Sequence, residues 1–308
     1  MISRRNIRVK VMQTLYTIDT LEQEVKPGEP VKLLQKHFDE SRSLLIYMIE
    51  FLNQVLSYAE TDAHHRASKH LPTAQDLNVN TKIAGNELLW RIKEDTSFTT
   101  ARDTEKLVHR IDKDLVRRIY VQLTESAEYK AYIASPERKK DEERTIVHFV
   151  WEQLILPNEA FLSHIEELYM NWDDDGEMAI QLFLMYLAKP GTFDFRTLIS
   201  ADKWSFAKGL LQAVLEKAEH LETFIHPRLQ NWDAERIAVL DMILMKMGVA
   251  EFLYFDTIPP KVTINEYIDL AKEYSTAQSG QFVNGILDNI HKELVQTGKL
   301  QKTDFRKA

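Results

Sequence analysis

The chain has 308 residues and a net charge of −8, with 44% hydrophobic and 28% charged residues. This is the usage of a soluble globular protein with enough length for one large domain or two ordinary ones. The absence of cysteine excludes disulfides, thiolate metal sites and cysteine nucleophiles, and it fits a cytoplasmic protein. Because only 9 Gly and 9 Pro occur, we predict an all-α fold of long helices rather than many short strands.

Positive charge is concentrated at the N-terminus. Arg4, Arg5, Arg8 and Lys10 precede the first acidic residue, Asp19, although the chain as a whole is acidic. A basic N-terminal segment on an otherwise acidic chain favours a local contact with phosphate, because the acidic remainder repels nucleic acid in general. The N-terminus lacks the apolar stretch of a secretory signal, and charged residues interrupt the most apolar run, so we expect no membrane span.

The first predicted helix begins after Ser3, whose hydroxyl can cap free backbone amides. Its buried face follows from apolar residues at i, i+4, i+8 and i+11, which are Ile7, Val11, Leu15 and Ile18. The segment 26–30 contains two prolines and a glycine, so it ends this helix and opens a linker.

Helical patterns fill most of the segment that follows. A long helix is predicted over 31–69, and a polar stretch at 71–80 ends it. Further helical patterns lie at 83–93, 104–133, 145–156 and 158–170. Asn171-Trp172-Asp173 recurs as Asn231-Trp232-Asp233, either because a helical unit is duplicated or by chance between two helices with the same start signal.

The last third of the chain carries four predicted helices. The first spans 203–224, and the second begins at 231–233 and is apolar nearly all round, as in the centre of a bundle. Ile258-Pro259-Pro260 predicts an extended connection, and a capping box at Thr263 and Glu266 predicts the start of the third helix.

In the fourth of these helices, Asn284-Gly285 lies inside a helical pattern of apolar residues, which are Phe282, Ile286, Ile290 and Leu294. A glycine inside a helix costs about 1 kcal/mol against alanine. We therefore expect a close approach of another backbone or of a ligand at this point.

Two stretches of the sequence carry specific motifs. The C-terminal stretch contains IPPKVTINE at 258–266, DLAK at 269–272, Ser279, and FVNGILD at 282–288. The N-terminal stretch contains RRNIR at 4–8 and QTLY at 13–16. The C-terminal stretch resembles the signature of the NusB family of bacterial transcription antitermination factors, and the N-terminal stretch resembles the arginine-rich first helix of that family. The matching regions, roughly 3–22 and 202–296, follow each other in the order of the family.

The resemblance implies a NusB-like helical bundle with a large additional helical insertion. In this interpretation, residues 1–22 form the basic N-terminal helix and 202–296 form the C-terminal helical region. Residues 23–201 form the helical insertion, with or without one duplicated helical unit, and 297–308 form a basic tail. The insertion would enlarge the RNA surface, replace the partner surface or block it, and the sequence does not choose among these roles.

The resemblance also implies a function. Members of the family bind boxA-type RNA in nascent ribosomal transcripts, together with the small-subunit ribosomal protein NusE, inside an RNA polymerase antitermination complex. Transferred onto this sequence, the RNA-binding candidates are Arg4, Arg5, Arg8, Lys272, Gln278, Ser279, Gln281, Phe282 and Asn284. The candidates for the protein-partner surface are Tyr16 and Glu235. No enzyme activity, catalytic residue, cofactor or metal is predicted. Gln278 departs from the family, which often has an acidic residue before the serine.

Several of these residues have simpler interpretations. Phe282 either stacks on an unpaired base or belongs to the core, and Asn284 either reads RNA or bonds within its own helix end. The three N-terminal arginines either contact phosphate or form a frayed, solvated terminus.

Two clusters invite a metal hypothesis but are interpreted without one. His64, His65 and His70 have no carboxylate or cysteine at ligand spacing, so we expect a solvated helix end. The acidic run at 173–176 lacks the alternating spacing and the closing glutamate of a calcium loop, so we expect acids at a helix start.

Two other functions compete with the RNA-binding interpretation. Some RNA cytosine methyltransferases carry a NusB-like domain, but their chemistry needs a cysteine nucleophile, which this chain lacks. The second alternative is a helical scaffold that kept the NusB fold but not RNA binding.

Overall fold

The computed structural model describes residues 2–21, 26–229, 237–300 and 302. Of these residues, 78% are helical and none lies in a strand, which confirms the predicted all-α class. Fifteen α-helices are present in the described ranges: α1 (Arg4–Thr20), α2 (Glu29–Ala67), α3 (Ala74–Leu77), α4 (Glu87–Glu94), α5 (Thr96–Thr104), α6 (Lys113–Glu125), α7 (Ala127–Ala134), α8 (Lys140–Phe149), α9 (Glu159–Leu168), α10 (Trp172–Ala188), α11 (Ala201–Glu216), α12 (Ala218–Ile225), α13 (Val239–Tyr254), α14 (Pro260–Tyr274) and α15 (Ser279–Gln296).

The chain forms two compact units. Unit 1 consists of Met1–Phe38 and Ile199–Ala308, and unit 2 consists of Asp39–Leu198. The boundary falls inside α2 at one side and before α11 at the other. The insertion over 23–201 remains a prediction. Unit 2 occupies a similar part of the chain, residues 39–198.

Unit 1 is a helical bundle around α13. The N-cap of α1 is Ser3, whose Oγ accepts a hydrogen bond from the Asn6 amide at 3.1 Å, as predicted. The predicted apolar face of α1 is buried at Ile7, Val11 and Leu15, and α1 contacts both α11 and α13. Helices α13, α14 and α15 contact one another closely, and this trio forms the main core of the unit.

The start of α14 differs from the prediction. The helix begins at Pro260, one turn before the predicted capping box, because proline is favoured in the first turn of a helix. Thr263 therefore lies inside the helix, where it is buried and its Oγ donates to Glu251 at 3.0 Å. Glu266 lies within 3.2 Å of Arg8 instead of capping the helix. The predicted capping box is wrong, because these two side chains bond to other helices.

Unit 2 has its own aromatic core around the middle of α2, where Leu44 to Asn53 are buried without interruption. The rings of Trp151 and Phe183 lie 3.9 Å apart, and Phe51 packs against Phe161 at 4.7 Å. This burial on every side of α2 explains why its apolar residues do not form a single stripe.

Two predicted helices of unit 2 are interrupted. The predicted helix over 104–133 consists of α6 and α7, preceded by a 3-10 turn at Leu107–Arg110, because Asp112 and Ser126 cap new helix starts. The predicted helix over 145–156 starts earlier, as α8, and continues as a π-helical turn, Val150–Ile155. Periodicity gave the presence of helix in both places but not its limits.

The clusters discussed as metal sites hold no ligand set. Within the described ranges, no three His, Asp or Glu side chains are grouped so that they could bind a metal ion. His64 and His65 lie exposed in the last turn of α2, and the acidic run at 173–175 lies in the first turn of α10.

No helix in the described part of the chain is both long and apolar enough to cross a membrane. Trp172 begins α10, but its counterpart at 231–233 falls outside the described residues, so the duplication stays a prediction.

Candidate nucleic-acid interface

Three helix ends meet at one corner of unit 1: the start of α1, the end of α14 and the start of α15. Arg5 Nη2 lies 2.5 Å from Glu273 Oε2, and this ion pair joins the first turn of α1 to the last turn of α14. The guanidinium of Arg4 lies 5.6 Å from the centre of the Phe206 ring, which is a cation–π distance. Arg4 is exposed and Arg5 is partly exposed.

The N-terminus is anchored rather than frayed in this structure. Ile2 is buried, and Lys203 Nζ on α11 donates to its carbonyl oxygen at 2.6 Å. Together with the Ser3 cap, this contact fixes the direction in which α1 begins. Arg4 and Arg5 therefore project from a defined helix start.

The connection between α14 and α15 depends on a buried hydroxyl. Ser279 Oγ donates to Asp241 Oδ2 on α13 at 2.7 Å and accepts from the Thr276 amide at 3.2 Å. Ser279 is buried, with 1% of its surface exposed. The predicted RNA contact of Ser279 is therefore corrected: this hydroxyl holds the α14–α15 corner against α13 and does not face solvent.

Lys272 lies across the start of α15. A Cβ at Gly280 would lie 2.7 Å from Lys272 Cγ, so the absence of a side chain at Gly280 allows the lysine stem to pass. The Lys272 side chain is 62% exposed and lies 3.7 Å from Asp269. Its ammonium group is therefore available at the same corner as Arg4 and Arg5.

The exposed side of α15 carries amides. Gln278, Gln281 and Asn284 are exposed and follow one another at intervals of three residues, which places them along one side of the helix. Phe282 is half-buried beside them. The core side of α15 is formed by Val283, Ile286, Leu287, Ile290 and Leu294.

No other backbone approaches Gly285 closely within the described part of the chain. A Cβ built at Gly285 would have no described atom within 4 Å apart from its own stretch of helix, and the residue is exposed. A neighbouring backbone therefore does not offset the cost of this glycine, so that alternative is wrong, whereas the approach of a ligand stays a prediction.

Arg8 does not belong to the exposed corner. It is 1% exposed, and its Nε and Nη2 donate to the two carboxylate oxygens of Glu251 at 2.7 and 3.0 Å. Thr263 and Tyr267 donate to the same carboxylate at 3.0 and 2.8 Å. Burial is the largest single effect and lowers the pKa of Arg8, but the hydrogen bond to Glu251 and the charge interactions with Tyr267, Glu251 and Glu266 together outweigh it, so the pKa lies above its usual value. The structure therefore contradicts the prediction that Arg8 contacts RNA, because its guanidinium forms a buried ion pair with Glu251.

The two predicted partner residues have different outcomes. Tyr16 is 46% exposed on α1. Glu235 lies outside the described residues.

Charge is divided unequally between the two units. Unit 2 contains 19 Lys and Arg against 28 Asp and Glu, whereas unit 1 contains 20 against 19. The net negative charge of the chain therefore comes from unit 2. Unit 1, which carries the corner with Arg4, Arg5 and Lys272, is close to neutral, so long-range repulsion from its own charges does not oppose the approach of a polyanion.

Comparison with known proteins gives a consistent result. The sequence profile of the NusB family matches residues 160–292. The transcription antitermination protein NusB of Methylacidiphilum infernorum is 41% identical over 101 residues, which are 33% of this chain and 70% of that protein. The chain belongs to the NusB family.

Other NusB proteins are similar over a smaller share of their length. That of Chloroherpeton thalassium is 43% identical over 94 residues, covering 30% of this chain and 44% of the relative. That of Salinibacter ruber is 42% identical over 98 residues, covering 32% of this chain and 61% of the relative. The chain thus spans less than two thirds of these two relatives. No solved structure gives a significant match.

The NusB profile begins at residue 160, within the predicted insertion. It therefore covers α9 and α10 of unit 2 as well as α11 to α15, up to residue 292. The predicted site residues did not include Glu273 and Phe206, which contact Arg5 and Arg4 respectively. No motif marks either residue, because each becomes important only when the helix ends meet.

Proposed function

We propose that this protein is a transcription antitermination factor that binds single-stranded boxA-type RNA. The observation that carries the proposal is the corner of unit 1, where the helix ends that carry Arg4 and Arg5, Lys272 and the exposed amides of α15 come together in a chain of the NusB family. Cations and amides side by side offer contacts to both parts of an RNA strand, because phosphates attract guanidinium and ammonium groups and base edges accept or donate hydrogen bonds.

The roles follow from side-chain chemistry. Arg4, Arg5 and Lys272 contact backbone phosphates, which gives affinity without sequence preference. Gln278, Gln281 and Asn284 bond to base edges, since an amide offers both a donor and an acceptor. Phe282 offers the exposed part of its ring to one unpaired base.

The proposed partner surface includes α1. Tyr16, exposed on α1, together with Glu235, would contact the ribosomal protein NusE, and the complex would act on RNA polymerase. In this proposal the protein works by bridging, without a catalytic step, cofactor or metal.

The test is a binding measurement on the full chain with a fluorescein-labelled RNA that contains the boxA element, with and without NusE. The double variant Arg4→Ala/Arg5→Ala leaves the buried ion pair of Arg8 and Glu251 in place, so we expect unit 1 to stay folded. Each lost phosphate contact reduces the slope of log K against log salt by about 0.7, so we expect a reduction of about 1.4 and weaker binding at every salt concentration.

A matched control is Arg117→Ala/Arg118→Ala, which removes two exposed arginines of α6 in unit 2. Both double variants change the net charge equally, but Arg117 and Arg118 lie outside the proposed surface. Only the Arg4/Arg5 variant should therefore change the slope of log K against log salt. Equal binding by the wild type and the Arg4/Arg5 variant would refute the proposed surface.

A helical scaffold remains the second candidate, because unit 2 has a core of its own and carries most of the negative charge. Isolation of the protein from cells separates the two functions. Recovery of boxA RNA and NusE supports antitermination, whereas an unrelated protein without RNA supports the scaffold.

A further inference from the structure

We propose that Glu273 moderates RNA binding by holding the Arg5 guanidinium in an intramolecular ion pair that an RNA phosphate must compete with. The inference rests on the proposed RNA-binding function and adds a residue that tunes it. The observation behind it is the 2.5 Å contact between Arg5 Nη2 and Glu273 Oε2 at the corner where the RNA candidates meet.

The location makes the carboxylate a competitor. Glu273 directly follows Lys272, the lysine whose stem crosses the start of α15 at Gly280. A phosphate that contacts both Arg5 and Lys272 would therefore come close to a carboxylate of the same sign. Like charges oppose each other, and here the repulsion acts on a phosphate that binds at Arg5, where it lowers the affinity for RNA.

The exposure of the pair makes the competition reversible. The side chains of Arg5 and Glu273 are 36% and 51% exposed, so water and salt reach both. An exposed ion pair of this kind is weak, and a phosphate can replace the carboxylate at small cost. The buried pair of Arg8 and Glu251, with side-chain exposures of 2% and 0%, cannot exchange in this way.

Arg5 can keep its position when the charge is removed. An amide in place of the carboxylate still accepts a hydrogen bond from the guanidinium but no longer neutralises it. Glu273→Gln therefore removes the competition and retains the orientation, whereas Glu273→Ala removes both. The two variants distinguish repulsion from positioning.

The experiment measures the affinity of the full chain for the labelled boxA RNA at several salt concentrations. We expect Glu273→Gln to bind about two- to fivefold more tightly at low salt, the range that corresponds to an exposed ion pair. The gain should decrease as salt rises, because screening weakens both the ion pair and the repulsion.

Two further variants complete the test. Glu219→Gln removes the same charge from an exposed position on α12. The turn that follows α12 pairs with the C-terminal half of α15 through Arg228 and Glu293, away from the helix start that carries the amides. This control should bind RNA as the wild type does. In the Arg5→Ala background, Glu273→Gln should lose most of its effect, because the competition acts through Arg5.

The outcomes separate this inference from the function on which it rests. If the wild type does not bind the RNA, both are overturned. If the wild type binds but Glu273→Gln is unchanged or weaker, the competition is refuted while RNA binding stands. An equal gain from Glu273→Gln with and without Arg5 would also refute it, since the effect would then be general repulsion.

Discussion

Replacement of Arg8 by methionine should destabilise unit 1 strongly. The substitution removes two of the four hydrogen bonds that reach the Glu251 carboxylate and leaves this buried group without its charged partner. Breaking a buried ion pair by removing one side costs about 3–5 kcal/mol. Because Thr263 and Tyr267 still donate to Glu251, we expect the lower end of this range, about 3 kcal/mol.

Urea denaturation followed by circular dichroism measures this loss. With a slope of about 2 kcal/mol per molar urea, the transition of unit 1 should move down by about 1.5 M. The two units are separate compact bodies, so their transitions need not coincide, and the transition of unit 2 should not move. Full deletion of the pair, Arg8→Met with Glu251→Gln, should recover part of the loss, because the amide still accepts from Thr263 and Tyr267.

The opposite result would refute the reasoning. If Arg8→Met changes the stability by less than about 1 kcal/mol but weakens RNA binding, then the Arg8 guanidinium faces solvent and contacts phosphate. The choice between the buried and the exposed role of Arg8 is thus made by a stability measurement together with a binding measurement.

Three further variants test the structure elsewhere. Gly248→Ala should lower the free energy of unfolding by about 1–3 kcal/mol, because the added Cβ would lie 2.9 Å from both methyl carbons of Leu287. Thermal unfolding measures this change, and an unchanged melting temperature would contradict the close contact of α13 and α15. Ser279→Ala should cost about 1–3 kcal/mol, because the buried carboxylate to which it donates loses its donor; a neutral effect would place this hydroxyl in solvent. The hydrogen bond from Arg196 lowers the pKa of Asp194 to about 2 from 3.8, so its small contribution is present above about pH 4 and is lost as the pH falls towards 2. Asp194→Asn should therefore reduce the stability of unit 2 at pH 6 but not at pH 2, and an equal effect at both values would argue against the pair.

Local sequence signals were sufficient for several features. The apolar spacing of Ile7, Val11 and Leu15 gave the buried face of α1, and Ser3 gave its start. These predictions hold because a helix period and an N-cap depend on neighbours within about one turn. The long apolar run of α13 was likewise correct as the centre of a bundle.

Contacts between distant residues account for the failures. Arg8 was assigned to a basic surface because it stands in a run with Arg4 and Arg5, but it lies on the same side of α1 as Met12 and Leu15. Its partner Glu251 is 243 residues away. Thr263 matched a capping box by spacing, yet it bonds to the same distant carboxylate.

The sequence alone was enough to give the helical class, the start of α1 and the NusB family, because each follows from local periodicity, a capping residue or a continuous motif. Which arginines are available to RNA depended on the tertiary structure. Arg4, Arg5 and Arg8 are equivalent as residue types, but the fold places Arg5 beside Glu273 in solvent and Arg8 beside Glu251 in the core. The physical reason is that burial and partner charge depend on how α1, α13 and α14 meet, and no local stretch of sequence contains that information.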